Sequence, residues 1–147
     1  MKHHGSNFEY AEERNDDIMK AYMQEIGRCE KIYLPHILDA VVNTPAKRFW
    51  VSAERAAIVI SKMMRGDTLM SMRPARREMF QEIYRRLKRL QKENPSMSIN
   101  EMALQVVQQP APKFYITAGS AKVIINRIRK EWYKKRSQEL RRFRLQQ

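Results

Sequence analysis

The stretch VVNTPAKRFWVSAERAAIVI at residues 41–60 returns as VVQQPAPKFYITAGSAKVII at residues 106–125. A constant shift of 65 positions aligns the two stretches without a gap, and eight of their positions are identical. A match of this length indicates one supersecondary unit that the chain uses twice. Two copies are too few for a solenoid, so the repeat predicts two small modules in tandem.

Helix signals give each copy the same order of elements: a longer helix, a short helix, an eight-residue connector and a capped third helix. Ser52 and Thr117 are the expected caps of the two third helices, and Ser98 with Glu101 forms a capping box before the second short helix. No stretch shows the alternation of apolar and polar residues that is typical of a strand. The sequence therefore predicts an all-α fold of two tandem trihelical modules, related by a shift of 65, with a long basic C-terminal helix.

The predicted boundaries follow from these signals. Residues 1–12 are expected to be a disordered tail, 13–66 helical module one, 67–74 a linker, 75–130 helical module two, and 131–147 a basic helical tail. A module of about 60 residues is close to the lower limit for a self-sufficient core. We therefore expect the two modules to pack against each other.

Positive charge is concentrated in the last two thirds of the chain. The net charge is +13, yet residues 1–45 hold 5 Lys and Arg against 8 Asp and Glu, whereas residues 46–147 hold 24 against 8. A field of this sign attracts polyanions such as DNA and RNA. Nucleic acid is therefore the expected partner, and a merely solubilising surface is the alternative.

The remaining composition argues against several classes of protein. A single cysteine, Cys29, excludes an internal disulfide and is typical of a reducing compartment. Neither a signal peptide nor a membrane-length apolar run is apparent, so a cytoplasmic protein without membrane contact is expected. We find no constellation of catalytic residues, no phosphate-binding glycine loop and no zinc-ligand spacing. The sequence thus predicts neither an enzyme nor a cofactor or metal site.

One motif carries a family resemblance. The run Ser98-Ile-Asn-Glu-Met-Ala103, followed by a turn and Ile116-Thr117, resembles the opening of many helix-turn-helix units, and Val51-Ser52 matches in copy one. The family implies that the capped third helix enters the major groove of DNA. Copy one departs from the pattern at Leu34-Pro35-His36. Both copies also have a turn of about eight residues instead of the usual three or four.

A helical wheel separates the two sides of the third helices. Ala121, Ile125, Ile128 and Trp132 are predicted to face the core. The opposite side is polar and basic, where Arg and Lys can reach phosphates or guanine and an Asn can read adenine. The connectors add cations to this surface. The predicted nucleic-acid-binding residues are Ser61, Lys62, Arg65, Asn126, Arg127, Lys130 and Lys134 on the helices, and Lys47, Arg48 and Lys113 in the connectors.

These patterns favour a double-stranded DNA-binding protein, with regulation of transcription as its expected role. The chain also resembles small uncharacterised proteins of bacterial prophages and mobile elements. That resemblance implies an alternative role as an accessory protein in DNA packaging or recombination, which would depend on homo-oligomers. An RNA-binding protein that uses the basic tail and exposed aromatics stays open, as does a structural adaptor. In the connectors, prolines limit flexibility and the aromatic pairs are expected to anchor the loop, with Phe49 and Phe114 in the core between helices. Trp50 and Tyr115 are interpreted as packing residues, with stacking on a base as the alternative.

Overall fold

The computed structural model describes residues 5–146 and is all-α. Within that part of the chain no strand forms, and six helices follow one another. Their bounds are α1 (Gly5–Arg28), α2 (Leu34–Val42), α3 (Ala53–Met64), α4 (Pro74–Glu93), α5 (Ile99–Val107) and α6 (Ala118–Leu145). The predicted fold class is confirmed.

Helix ends lie where the local sequence signals place them. Ser52 Oγ accepts a hydrogen bond from the Arg55 amide at 3.1 Å, and Ser98 Oγ accepts one from the Glu101 amide at 3.2 Å. The Thr117 hydroxyl caps α6 in the same way. Behind α3, Gly66 has φ 101°, a conformation that glycine adopts without steric cost after a helix end.

The shift of 65 relates the helix bounds themselves. Both ends of α2 correspond to both ends of α5, the start of α3 corresponds to the start of α6, and the end of α1 corresponds to the end of α4. The correspondence fails at two helix ends: α6 runs on well past the point equivalent to the end of α3, and α1 begins four residues before the point equivalent to the start of α4. The duplication is therefore a property of the three-dimensional structure as well as of the sequence.

The two copies exchange their third helices. Helix α3 packs on α4 and α5, and α6 packs on α1 and α2. Among the six described helices, α2 makes no packing contact with α3, nor α5 with α6. Each trihelical group thus combines two consecutive helices of one copy with the third helix of the other, so the predicted modules at 13–66 and 75–130 are not the spatial units.

The connectors make this exchange by crossing each other. The amide of Ala46 donates to the carbonyl of Ala111 at 2.9 Å, and the amide of Ala111 donates back to Ala46 at 3.1 Å. On either side, the Phe49 amide donates to the last carbonyl of α5 and the Phe114 amide donates to the last carbonyl of α2. Since Ala46 and Ala111 are equivalent positions of the repeat, the crossing lies on a local twofold axis.

One continuous hydrophobic core joins both trihelical groups. Phe49 and Phe114 are buried there, 1% and 4% exposed, as the sequence predicts for the connector aromatics. Equivalent positions are buried in pairs, for example Ile60 with Ile125. The two copies of the repeat pack against each other, as expected, and they are intertwined around the local twofold axis.

Three expectations differ from the structure. The tail predicted for residues 1–12 is helical from Gly5 onward, and its first four residues lie outside the described part. The predicted boundary between residues 130 and 131 has no break, since α6 is continuous there. Trp132, predicted to face the core, is 51% exposed, because the side of α6 that carries it extends beyond the buried interface.

Candidate nucleic-acid interface

The outer side of α6 is exposed and basic. Asn126, Arg127, Lys130 and Lys134 are all exposed, while Ala121 and Ile125 on the opposite side of the helix are fully buried. Over its whole length α6 carries ten Lys and Arg residues and two Glu. The three cations among these positions, Arg127, Lys130 and Lys134, form no ion pair with any described side chain, so their charge is available to a ligand.

The outer side of α3 borders a second helix. Lys62 and Arg65 are exposed and Ser61 is half-buried. Together with Ile99 and Asn100 at the start of α5, they line an open groove of about 450 Å³. Because the N-terminus of a helix carries a partial positive charge, the start of α5 adds to the attraction of this groove for anions.

The repeat pairs the residues of the two outer sides: Ser61 with Asn126, Lys62 with Arg127, and Arg65 with Lys130. After the exchange of helices, α3 belongs to one trihelical group and α6 to the other. The local twofold axis therefore relates one cationic outer side to the other. We call these two exposed surfaces, Ser61–Lys62–Arg65 on α3 and Asn126–Arg127–Lys130–Lys134 on α6, the outer faces.

Arg48 lies within the protein rather than at a free loop tip. Its Nε donates to the carbonyl of Phe49 at 3.0 Å and its Nη2 donates to the carbonyl of Val51 at 3.1 Å. Its guanidinium carbon lies 4.3 Å from the centre of the Tyr10 ring and 5.6 Å from that of Trp50. Its hydrogen bonds and aromatic contacts hold the connector against α1.

The two lysines of the connectors differ from each other. Lys47 has an exposed side chain, and its amide donates to Asp17 Oδ2 at 2.8 Å. Lys113, the counterpart of Arg48, pairs with Glu78 Oε1 at 2.5 Å and lies 5.5 Å from the Tyr115 ring. Of the three predicted connector cations, Lys47 alone has a side chain without an ion pair or aromatic contact among the described residues.

The connector aromatics are packing residues. Trp50 Nε1 donates to Asp17 Oδ2 at 3.1 Å. Tyr115 is buried, and its ring stacks on Phe49 with the centres 6.0 Å apart. Burial raises the pKa of the Tyr115 hydroxyl, and the charge of Glu78 raises this pKa further, against smaller opposing contributions from nearby arginines. The burial of Tyr115 leaves no open face for stacking on a base.

Arginines on α4, absent from the predicted site, contact the crossing. Arg86 pairs with Glu82 at 2.9 Å, donates to the carbonyl of Pro110 at 3.0 Å, and lies over the Phe49 ring. Arg85 also pairs with Glu82, whereas Arg89 is exposed. The basic run at residues 84–92 signals charge on this helix. It does not reveal that Arg86 points inward, because its partners come from a distant connector.

Opposite charge distinguishes the equivalent sides of α1 and α4. An open groove of about 540 Å³ beside the connector of copy one is lined by Glu13, Asp16 and Asp17 together with Lys20 and Lys47. The matching groove beside α4, about 360 Å³, is lined by Arg85, Arg86 and Arg89 together with Glu82 and Glu93. The first groove has more acidic than basic side chains and the second more basic than acidic ones, so the side of α4 is the more favourable of the two for phosphates.

In the part of the chain that the structure describes, no group of three His, Cys, Asp or Glu side chains is arranged to hold a metal ion. Among the described helices, none combines the length and the apolar character that crossing a bilayer requires. No protein-family model, curated protein or solved structure matches this chain.

Proposed function

We propose that this protein binds double-stranded DNA through the two outer faces and that it regulates transcription. The observation that carries the proposal is the pair of cationic outer faces, which the local twofold axis relates to each other. Two third helices that present the same kind of surface from one rigid body can engage two adjacent segments of a duplex, as the two subunits of a dimeric helix-turn-helix protein do. The role implies a cytoplasmic protein in contact with the genome.

Electrostatics and chemistry support duplex DNA as the partner. Lys and Arg on the outer faces can neutralise phosphates and release counterions, which makes affinity strongly dependent on salt. Asn126 lies among these cations, and an amide side chain can hydrogen-bond to both N6 and N7 of adenine in the major groove. The exposed second half of α6 extends the basic surface along the path of a phosphate backbone.

A binding titration tests the interface. Fluorescence anisotropy with a labelled duplex, measured at several salt concentrations, should show a steep loss of affinity with salt. Arg127→Ala and Lys130→Ala should each weaken duplex binding by about tenfold at low salt and reduce the salt slope by about 1. Lys31→Ala, which removes an exposed cation from the loop between α1 and α2, is the matched control and should bind like the wild type.

Competitors and selection separate the alternatives. A hairpin RNA or single strand that binds more tightly than the duplex would contradict the proposal and favour an RNA-binding role. Selection from a random duplex library should enrich two half-sites if the protein regulates transcription. Duplex binding without any enriched sequence would instead favour an accessory role in packaging or recombination. Unchanged affinity in both α6 variants would exclude the outer face of α6 as the interface.

A further inference from the structure

Three arginines from three helices line one cavity. Arg14 comes from α1, Arg55 from the first turn of α3, and Arg76 from the first turn of α4. The cavity has a volume of about 400 Å³, and Tyr10 and Trp50 form its aromatic wall. Since α3 reaches α4 only through the exchange of third helices, the cluster exists only in the intertwined fold.

The positive charge of this cluster lacks a counterion among the side chains of residues 10–146, which are those that the structure describes. Arg14 Nε is buried without a hydrogen-bond partner, and none of the three arginines forms an ion pair there. Glu54 is the one acidic residue that lines the cavity, and it pairs with none of them. Burial lowers the pKa of Arg14 and Arg76, and the charge of Arg55 lowers that of Arg76 further. All three guanidinium groups still stay charged, since arginine does not lose its proton in proteins.

The start of α3 adds hydrogen-bond donors to the same cavity. Ser52, its cap, lines the cavity and accepts from the amide of Arg55. The preceding amides of the first turn have no acceptor within the helix. Backbone N–H groups at a helix start together with planar guanidinium groups are the donors that phosphate oxygens accept from most effectively.

The repeat shows that the fold does not require this cluster. At the equivalent positions, Met79 replaces Arg14, Ser120 replaces Arg55 and Ala11 replaces Arg76. The other trihelical group is therefore built without arginines at these three positions.

From this geometry we infer that Arg14, Arg55, Arg76 and the start of α3 form a binding site for a phosphate group. The group belongs either to a free phosphorylated small molecule or to the backbone of a bound nucleic acid. A cavity of this size is within the range of small-ligand sites, and its aromatic wall can contact the organic part of such a ligand. The site is distinct from the outer faces, and its binding is measurable without nucleic acid.

Isothermal titration calorimetry of the full chain with pyrophosphate tests the site, with chloride of matched ionic strength as the reference. We expect saturable one-to-one binding in the wild type and a loss of affinity of about tenfold or more in Arg76→Gln. Lys31→Gln removes the same charge from the exposed loop between α1 and α2, outside the lining of the cavity, and should leave the affinity unchanged. Arg14→Met and Arg55→Ser introduce the residues of the other copy and should weaken binding as Arg76→Gln does.

Two results would overturn the inference. One is the absence of saturable binding of pyrophosphate to the folded wild type. The other is equal affinity in Lys31→Gln and in those variants of Arg14, Arg55 and Arg76 that circular dichroism shows to be folded. Competition identifies the source of the phosphate. Pyrophosphate displaces labelled duplex if the site holds a backbone phosphate and leaves duplex binding unchanged if it holds a free ligand.

Discussion

Arg48 and Lys113 occupy the same position of the repeat, and each is held by groups of the protein itself. Arg48 contacts two carbonyls of its own connector and the rings of Tyr10 and Trp50. Lys113 pairs with Glu78 on α4. Sequence reasoning found both as cations in a short loop, which is a local property. Their partners lie up to 38 positions away, so the same reasoning could not distinguish a structural cation from a phosphate clamp.

We therefore expect Arg48→Gln to destabilise the fold. Losing the two hydrogen bonds and the stack on Tyr10 should lower the free energy of unfolding by about 1–2 kcal/mol, measured by urea denaturation. Lys62→Gln, at an exposed position of α3, is the control and should change it by less than roughly 0.5 kcal/mol. Unchanged stability of Arg48→Gln combined with weaker duplex binding would show that Arg48 acts on phosphates instead.

Among the elements, the connectors differ most from what the sequence pattern implies. Their prolines and aromatic pairs predict a stiff, anchored loop, and Phe49 and Phe114 do anchor it in the core. The eight-residue length, which departs from a standard helix-turn-helix turn, is explained by the crossing. A chain that leaves one group of helices and enters the other needs an extended path. At the crossing itself the two backbones hydrogen-bond to each other, and Ala46 and Ala111 are each only 2% exposed there.

The crossing predicts a strict limit on side-chain size. Ala46→Leu should force the two backbones apart or displace core residues, which lowers the free energy of unfolding by about 1–3 kcal/mol. Ala111→Leu should have the same effect because the two positions are equivalent. Urea denaturation measures both, and Ala75→Leu in the first turn of α4, where the side chain is half-buried, should cost less. Equal stability of all three variants would argue against close packing at the crossing.

For the molecule as a whole, the exchange makes the two repeats interdependent. Each trihelical group buries a helix that the other copy supplies, and the core is continuous across both. A single repeat cannot cover its apolar surfaces in this arrangement. We expect the whole described chain to unfold as one cooperative unit rather than as two modules.

Cleavage of the linker tests this interdependence. A protease site inserted between Met70 and Ser71, which are exposed, lies between α3 and α4 without touching either connector. After cleavage the two pieces should elute together at the mass of the intact chain, with its helical circular dichroism retained. They should separate only in denaturant, since no disulfide joins them. Two folded pieces that elute separately without denaturant would show that consecutive helices form independent modules.

The sequence by itself determined the repeat, the all-α class and the capped starts of α3, α5 and α6. These follow from helix caps, prolines and apolar periodicity, which act over a few residues, so they can be read without knowing the fold. The polar, exposed character of positions such as Arg127 and Lys62 followed from the same periodicity.

Only the tertiary structure decided which third helix packs on which pair. The two copies bury equivalent residues, such as Phe49 and Phe114. The same sequence pattern is therefore satisfied whether each third helix packs on its own copy or on the other one. The exchange in turn decided that Arg55 and Arg76 meet Arg14 around one cavity. Contacts of this kind depend on where distant segments of the chain come together in space, and no local sequence pattern indicates which segments meet.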